Sequence, residues 1–202
     1  MDSVLDDTDE ALVLRYQRGD LAAFELLVDR HRASVHRFLV RFLQDRARAE
    51  DLVQECWLRF IDAAPRWRRQ ARFRTWLFAV ARNLATDEAR RMAHRRTTPL
   101  NDPAGFTAEP VAPGRSPEEA VFDLALQPVL RAAIAGLPAE QREVFLLREY
   151  EGVPFAEIAE ITGAPVPTVK SRMRYALEAL RAHLVDLGLA VEGAARAEGV
   201  EP

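Results

Sequence analysis

Cysteine occurs once in the 202 residues, at Cys56, which excludes an internal disulfide framework and a multi-cysteine zinc site. The four histidines, His31, His36, His94 and His183, do not stand at ligand spacings with that cysteine or with paired carboxylates. No metal and no other cofactor is expected. Glycine is scarce, at nine residues, and no β-branched run lasts long enough to suggest a sheet. No segment approaches the roughly 20 consecutive apolar residues of a membrane-spanning helix. The first ten residues, MDSVLDDTDE, are acidic and do not read as a signal peptide. No nucleophile–base pair stands out, so the chain is not expected to be an enzyme. What is left is an all-α, cytoplasmic protein with no membrane insertion.

What is present is charge, unevenly placed. The net charge is −3, a poor match to a nucleic-acid binder if only the sum is considered. From Arg66 to Arg96, however, ten arginines face only Asp87 and Glu88. Acid gathers elsewhere, in the first ten residues and in Asp45–Asp62. Phosphate binding responds to the local field, so the distribution decides.

Taken in order, Thr8 or Asp9 caps a first helix that stops at Gly19, and Asp20 caps a long second helix. That helix carries Phe24, Leu27, Val28, His31, Val35, Phe38, Leu39 and Phe42 on its apolar stripe, with His31 and His36 as ordinary helix residues. A third helix runs near Asp45–Ala63, its buried face made of Leu52, Val53, Cys56, Trp57 and Phe60. The opposite face presents Asp51, Glu55, Leu58 and Asp62, with Gln54 at its edge. A leucine among carboxylates points to a docking surface for a basic partner helix.

A basic loop from Trp67 leads to a fourth helix over Arg72–Arg95, with Leu77, Val80, Ala81 and Leu84 as its buried face. At about 100° per residue, Trp76, Asn83 and Arg90 share one edge, with Asp87 and Arg91 close by. Arg72, Phe73 and Arg74 crowd its start. Rings interleaved with cations are a platform for unpaired bases, each stacked base being worth roughly 1–3 kcal/mol.

Thr97–Ser116 contains four prolines and no apolar period, and reads as a linker. The second half opens on a capping box, Ser116-Pro117-Glu118-Glu119, and Pro128 predicts a kink or restart in the helix that follows. Pro138 opens another helix, which Gly152 ends. A short helix at Pro154–Thr162, a turn at Gly163 and a last helix from Pro167 make a helix-turn-helix pattern. In that last helix Val169, Met173, Ala176, Leu177 and Leu180 are expected inward. Thr168, Ser171, Arg174 and Tyr175 then face outward, flanked by Lys170 and Arg172, placed to meet phosphates and base edges in a major groove.

Three stretches together resemble one family: AEDLVQECWLRF at Ala49–Phe60, FRTWLFAVARNLATDEARR at Phe73–Arg91 and GVPFAEIAEITGAPVPTVKSRM at Gly152–Met173. They resemble the extracytoplasmic-function (ECF) sigma factors of bacterial RNA polymerase, in the sigma-70 family. The resemblance covers about Asp9–Leu184. It implies two small helical domains joined by a flexible, proline-rich linker: a region 2 domain at 1–96, the linker at 97–116, a region 4 helix-turn-helix domain at 117–187 and a tail at 188–202. It also implies a promoter-specificity subunit whose partners are the core polymerase, promoter DNA and an anti-sigma factor.

Carried over by position, Asp51, Gln54, Glu55 and Leu58 would meet the clamp helices of the polymerase's largest subunit. Arg72, Phe73, Arg74, Trp76, Asn83, Asp87, Arg90 and Arg91 would hold the non-template strand of the minus-ten element, with Asn83 at a pocket for a flipped base. Thr168, Lys170, Ser171, Arg172, Arg174 and Tyr175 would read the minus-thirty-five element. The chain departs from many members in having Tyr175 and Leu177 where they carry further arginines. The rival reading is a helix-turn-helix regulator of duplex operators. It leaves the acidic face and the Trp76–Asn83–Arg90 edge without a purpose.

Overall fold

A computed structural model of the chain describes residues 8–68, 72–95 and 117–188, leaving aside the side chains at 94–95 and 117–126. Among the described residues there are eight α-helices and no strand. The first four are α1 (Asp9–Gln17), α2 (Leu21–Leu43), α3 (Arg46–Ala63) and α4 (Phe73–Arg95). The others are α5 (Pro117–Gly136), α6 (Ala139–Phe145), α7 (Phe155–Thr162) and α8 (Val166–Asp186). The linker at 97–116, the tail beyond Gly188 and the side chains of the capping box at 116–119 lie outside the described residues.

The first three helices start where short oxygen-bearing side chains satisfy exposed N–H groups. Thr8 accepts from the Ala11 amide at 3.2 Å, Asp20 from Ala23 at 3.3 Å and Asp45 from Arg48 at 3.0 Å. The start of α4 is satisfied from a distance: the Phe73 amide donates to Glu10 Oε1 of α1 at 2.9 Å. Chain ends and turns thus fix four helices around one aromatic core. At its centre the fully buried Phe60 meets Phe73 at 5.0 Å, Tyr16 at 5.7 Å and Trp76 at 6.0 Å between ring centroids. Burying one such ring stabilises by roughly 1.5–3 kcal/mol, with edge-to-face pairing adding to it.

In the second half Val144, Phe145, Leu146 and Leu147 are buried, and the chain passes from α6 into a π-helical turn over Leu146–Tyr150. Gly152 and Gly163 then take positive φ, +63° and +68°, and the second of these closes the turn from α7 into α8. The helix-turn-helix expected from the sequence is there. The restart expected at Pro128 is not: α5 is one helix, proline included. Pro128 lies on the exposed side, where water can take up the carbonyl whose helix bond is lost. Leu177, expected inward, is 43% exposed, because Met173, Ala176 and Leu180 already fill the inner face of α8.

The two halves pack on each other, chiefly α4 on α7, and α2 on α6 and the π turn. This explains a feature of α4. Leu77, Ala81 and Leu84 are buried as expected, with Val80 partly so, yet Phe78, Ala85 and Thr75 are buried too. At about 100° per residue those three lie on a different side from the first set, where Thr75 bonds to Glu157 of α7 and Phe78 packs edge-on against Phe38 of α2 at 5.8 Å. Helix α4 is covered on two sides, and only one edge remains.

Candidate nucleic-acid interface

That remaining edge carries the residues expected to hold DNA. Trp76 is partly exposed and rests on Phe73, ring centroids 6.3 Å apart, so its indole is held from behind. Asn83 is exposed, its Oδ1 accepting from Arg82 Nη1 at 3.3 Å, which leaves the amide NH₂ as its donor to a ligand. Asp87 and Arg90 pair at 3.7 Å, and Arg91 reaches Glu88 at 3.4 Å. Arg90 and Arg91 keep most of their side chains in solvent.

Phe73 is a correction. It is fully buried, against Phe60 and His31, and offers no face to a base. Trp67 is likewise buried. A ring between arginines looks the same in sequence whether it faces out or in, and these two complete the core. The stacking platform reduces to Trp76.

Arg72 and Arg74 are engaged by the second half. Arg72 pairs with Glu157 at 2.9 Å, and Arg74 donates to the Glu151 carbonyl. Thr75 Oγ1 donates to the other Glu157 oxygen at 2.9 Å. Arg82, not singled out from the sequence, forms a two-pronged pair with Glu143: Nε to Oε2 at 2.7 Å and Nη2 to Oε1 at 3.2 Å. A sequence signal for this side existed. Thr75, Phe78, Arg82 and Ala85 recur at steps of three, four and three, a second helical stripe.

On α3, Asp51 and Gln54 are exposed, Glu55 is half-buried with Arg59 at 3.0 Å, and Leu58 is 57% exposed. Leu58 and Gln54 also border an open groove of about 770 Å³ between α2 and α3. Phe24, Val28, Val53, Trp57 and Ile61 line it, with Arg32, His36 and Glu50 among its polar residues. Ile61 was missed because it lies on neither the acidic nor the buried stripe. Burial pushes the His36 imidazole below its ordinary value, against the pull of Glu50, so it is neutral at pH 7. Cys56 faces the core as expected, and burial raises its thiol to about 12, which keeps it protonated.

On α8, Lys170, Arg174 and Tyr175 are exposed, and Thr168 and Ser171 half-buried. Arg174 lies over the Tyr175 ring at 4.8 Å and pairs with Glu178 at 3.7 Å. Ser171 Oγ donates to the Thr168 carbonyl at 2.9 Å, keeping that turn compact. Arg172 is the exception. It turns to Glu140 and to Glu143, the latter at 3.9 Å, with only a fifth of its side chain exposed. In this arrangement it ties α8 to α6 and is not on the outward face.

Residues 27–96 match the family model for sigma-70 region 2, and residues 128–180 that for sigma-70, region 4. The chain is 33% identical over 180 residues to the RNA polymerase sigma-H factor of Pseudomonas aeruginosa, covering 86% of this chain and 92% of that one. It is 34% identical over 179 residues to the ECF RNA polymerase sigma-E factor of Escherichia coli, again 86% and 92%. To the ECF RNA polymerase sigma factor SigC of Mycobacterium tuberculosis it is 35% identical over 178 residues, 88% and 91%. Its fold is similar to that of CnrH solved with the cytosolic domain of CnrY, at TM-score 0.66 and 24% identity, covering 90% of this chain and 99% of that one.

Proposed function

This chain belongs to the extracytoplasmic-function sigma factors of the sigma-70 family, and on that premise we propose how its surfaces share the work. The chain directs core RNA polymerase to promoters. Its region 2 domain, 1–96, docks on the clamp helices of the polymerase through Asp51, Gln54, Glu55 and Leu58. The edge of α4, with Trp76 and Asn83, holds bases of the minus-ten strand that have left the duplex. The region 4 domain, 117–187, reads the minus-thirty-five element through Thr168, Lys170, Ser171, Arg174 and Tyr175.

The observation that carries this reading is the edge of α4. A partly exposed tryptophan, an exposed amide and two solvent-facing arginines lie along one line on a helix otherwise covered on both sides. Charge positions the strand, the ring stacks and the amide hydrogen-bonds to a base. Melting costs stacking energy, and holding an extruded base with its neighbours offsets part of it. The work is binding, with no bond made or broken. A cytoplasmic location follows from acting with polymerase on chromosomal promoters, and an anti-sigma factor is the expected regulator.

The linker at 97–116 suits two DNA sites. A chain of about 20 residues can extend to at most roughly 65–70 Å, which reaches one to two duplex turns of about 35 Å. Reconstituted transcription tests the proposal. Core polymerase with this chain should initiate at discrete promoters where core alone does not. Footprinting of duplex DNA by the chain alone, with no initiation in the presence of core, would support the operator-binding regulator instead.

A further inference from the structure

Most polar contacts between the two halves have one sense, cations of the first half meeting acids and carbonyls of the second, with Arg142 donating to the Phe42 carbonyl in the other. Glu143 is the centre of the first set. This carboxylate is 2% exposed and is shared by Arg82 of α4, through two hydrogen bonds, and by Arg172 of α8, at 3.9 Å. One buried acid thus joins the two helices assigned to DNA. Glu157 repeats the pattern on Arg72 and Thr75.

Arg82 is also the residue that fixes Asn83, through Nη1 and Oδ1 at 3.3 Å. Its guanidinium therefore already reaches the DNA edge, while its Nε and Nη2 fork is closed by a carboxylate. That fork fits a phosphate in the same two-pronged way as it fits a carboxylate. Glu143, with Glu140 across Arg172, would repel a phosphate brought to the same place.

We propose that Arg82 is a DNA-backbone cation beside Asn83, held in reserve by Glu143, so that the second domain and single-stranded DNA compete for it. The proposal rests on the reading that the α4 edge holds the open strand. The closed chain then masks one of its own strand contacts, and separation of the domains supplies it.

The test is a binding titration of the full-length chain, without polymerase, against a fluorescent oligothymidylate of about 20 nucleotides over a range of salt. Glu143→Gln should bind about 3- to 10-fold more tightly at low salt than the parent. One phosphate contact on a single strand is worth about 0.7 in the slope of log K against log salt. Arg82→Gln should flatten that slope by about this amount in the Glu143→Gln background and leave it unchanged in the parent. An equal change in both backgrounds, or in neither, overturns the proposal.

Because Glu143 is buried, Glu157→Gln serves as a second variant that loosens the same interface without touching the partner of Arg82. It should tighten binding too; tightening by Glu143→Gln alone overturns the competition between domain and strand. Arg90→Gln in the Glu143→Gln background removes a solvent-facing cation of the same α4 edge. A slope moved by Arg90→Gln and not by Arg82→Gln overturns the Arg82 assignment only. A slope moved by neither overturns the reading of the α4 edge as a strand-binding surface.

Discussion

Replacing Leu58 and Ile61 together by alanine tests the docking face with little risk to the fold. Both side chains sit at the groove between α2 and α3, 57% and 39% exposed, and neither belongs to the core around Phe60. Full burial of such a side chain is worth roughly 1.5–3 kcal/mol, so covering the exposed half of Leu58 and rather less of Ile61 should give roughly 1.5–2 kcal/mol together. That corresponds to a loss of about 10- to 30-fold in affinity for core polymerase. Anisotropy of the labelled chain titrated with core measures it, with thermal unfolding as the control for an intact fold. Charge reversal at Asp51 and Glu55 should act differently, slowing association and weakening its salt dependence, because rim charges steer more than they anchor. An alanine pair that binds core within twofold of the parent refutes the placement of the partner in this groove.

Phe60→Ala should destabilise the chain by about 3–5 kcal/mol in denaturant unfolding, since five rings lose the side chain they pack around; a loss below about 1 kcal/mol would mean that the aromatic cluster is not the centre of the first domain. Asp9 gives a pH-dependent test. Burial raises its carboxyl, but the hydrogen bond with His31 at 2.7 Å and the charge of Arg30 outweigh that and leave it below its ordinary 3.8. A lowered carboxyl contributes stability above its unfolded value and loses it as pH falls through the folded one. Asp9→Asn should therefore be less stable than the parent at pH 7, and the gap should narrow as pH falls below 3.8; a gap that stays constant on acidification would place the effect in packing rather than charge.

How much of this was legible depended on whether a contact was local. Thr8, Asp20 and Asp45 cap helices through bonds to residues three positions on, and all three were readable from the chain. Gly163 marked the turn of the helix-turn-helix because that conformation suits glycine. The stripes of α2 and α3 were readable for the same reason: each is buried on one side. Helix α4 was harder. Its second side, with Thr75 and Arg82, meets α7 and α6 at residues 61 to 82 positions further along, and its other arginines are shared with groups equally remote. A stretch of arginines and rings has no local feature that separates a cation facing solvent from one facing Glu143 or Glu157. The same holds for Phe73 and Trp67, which fill the core, and for Arg172, which turns from the outer face of α8 to α6. Trp76 and Asn83 were found because the spacing of seven residues is a local property, and their surroundings place them on the same edge.

The most direct measurement of that edge is transcription from a randomised minus-ten library by core polymerase with the parent chain or with Asn83→Ala. The parent should select a distinct base at each critical position. Asn83→Ala should relax or change the preference at one of them, leaving affinity for core and the remaining positions as they were. An unchanged minus-ten consensus at equal polymerase affinity would contradict the assignment of Asn83 to an extruded base.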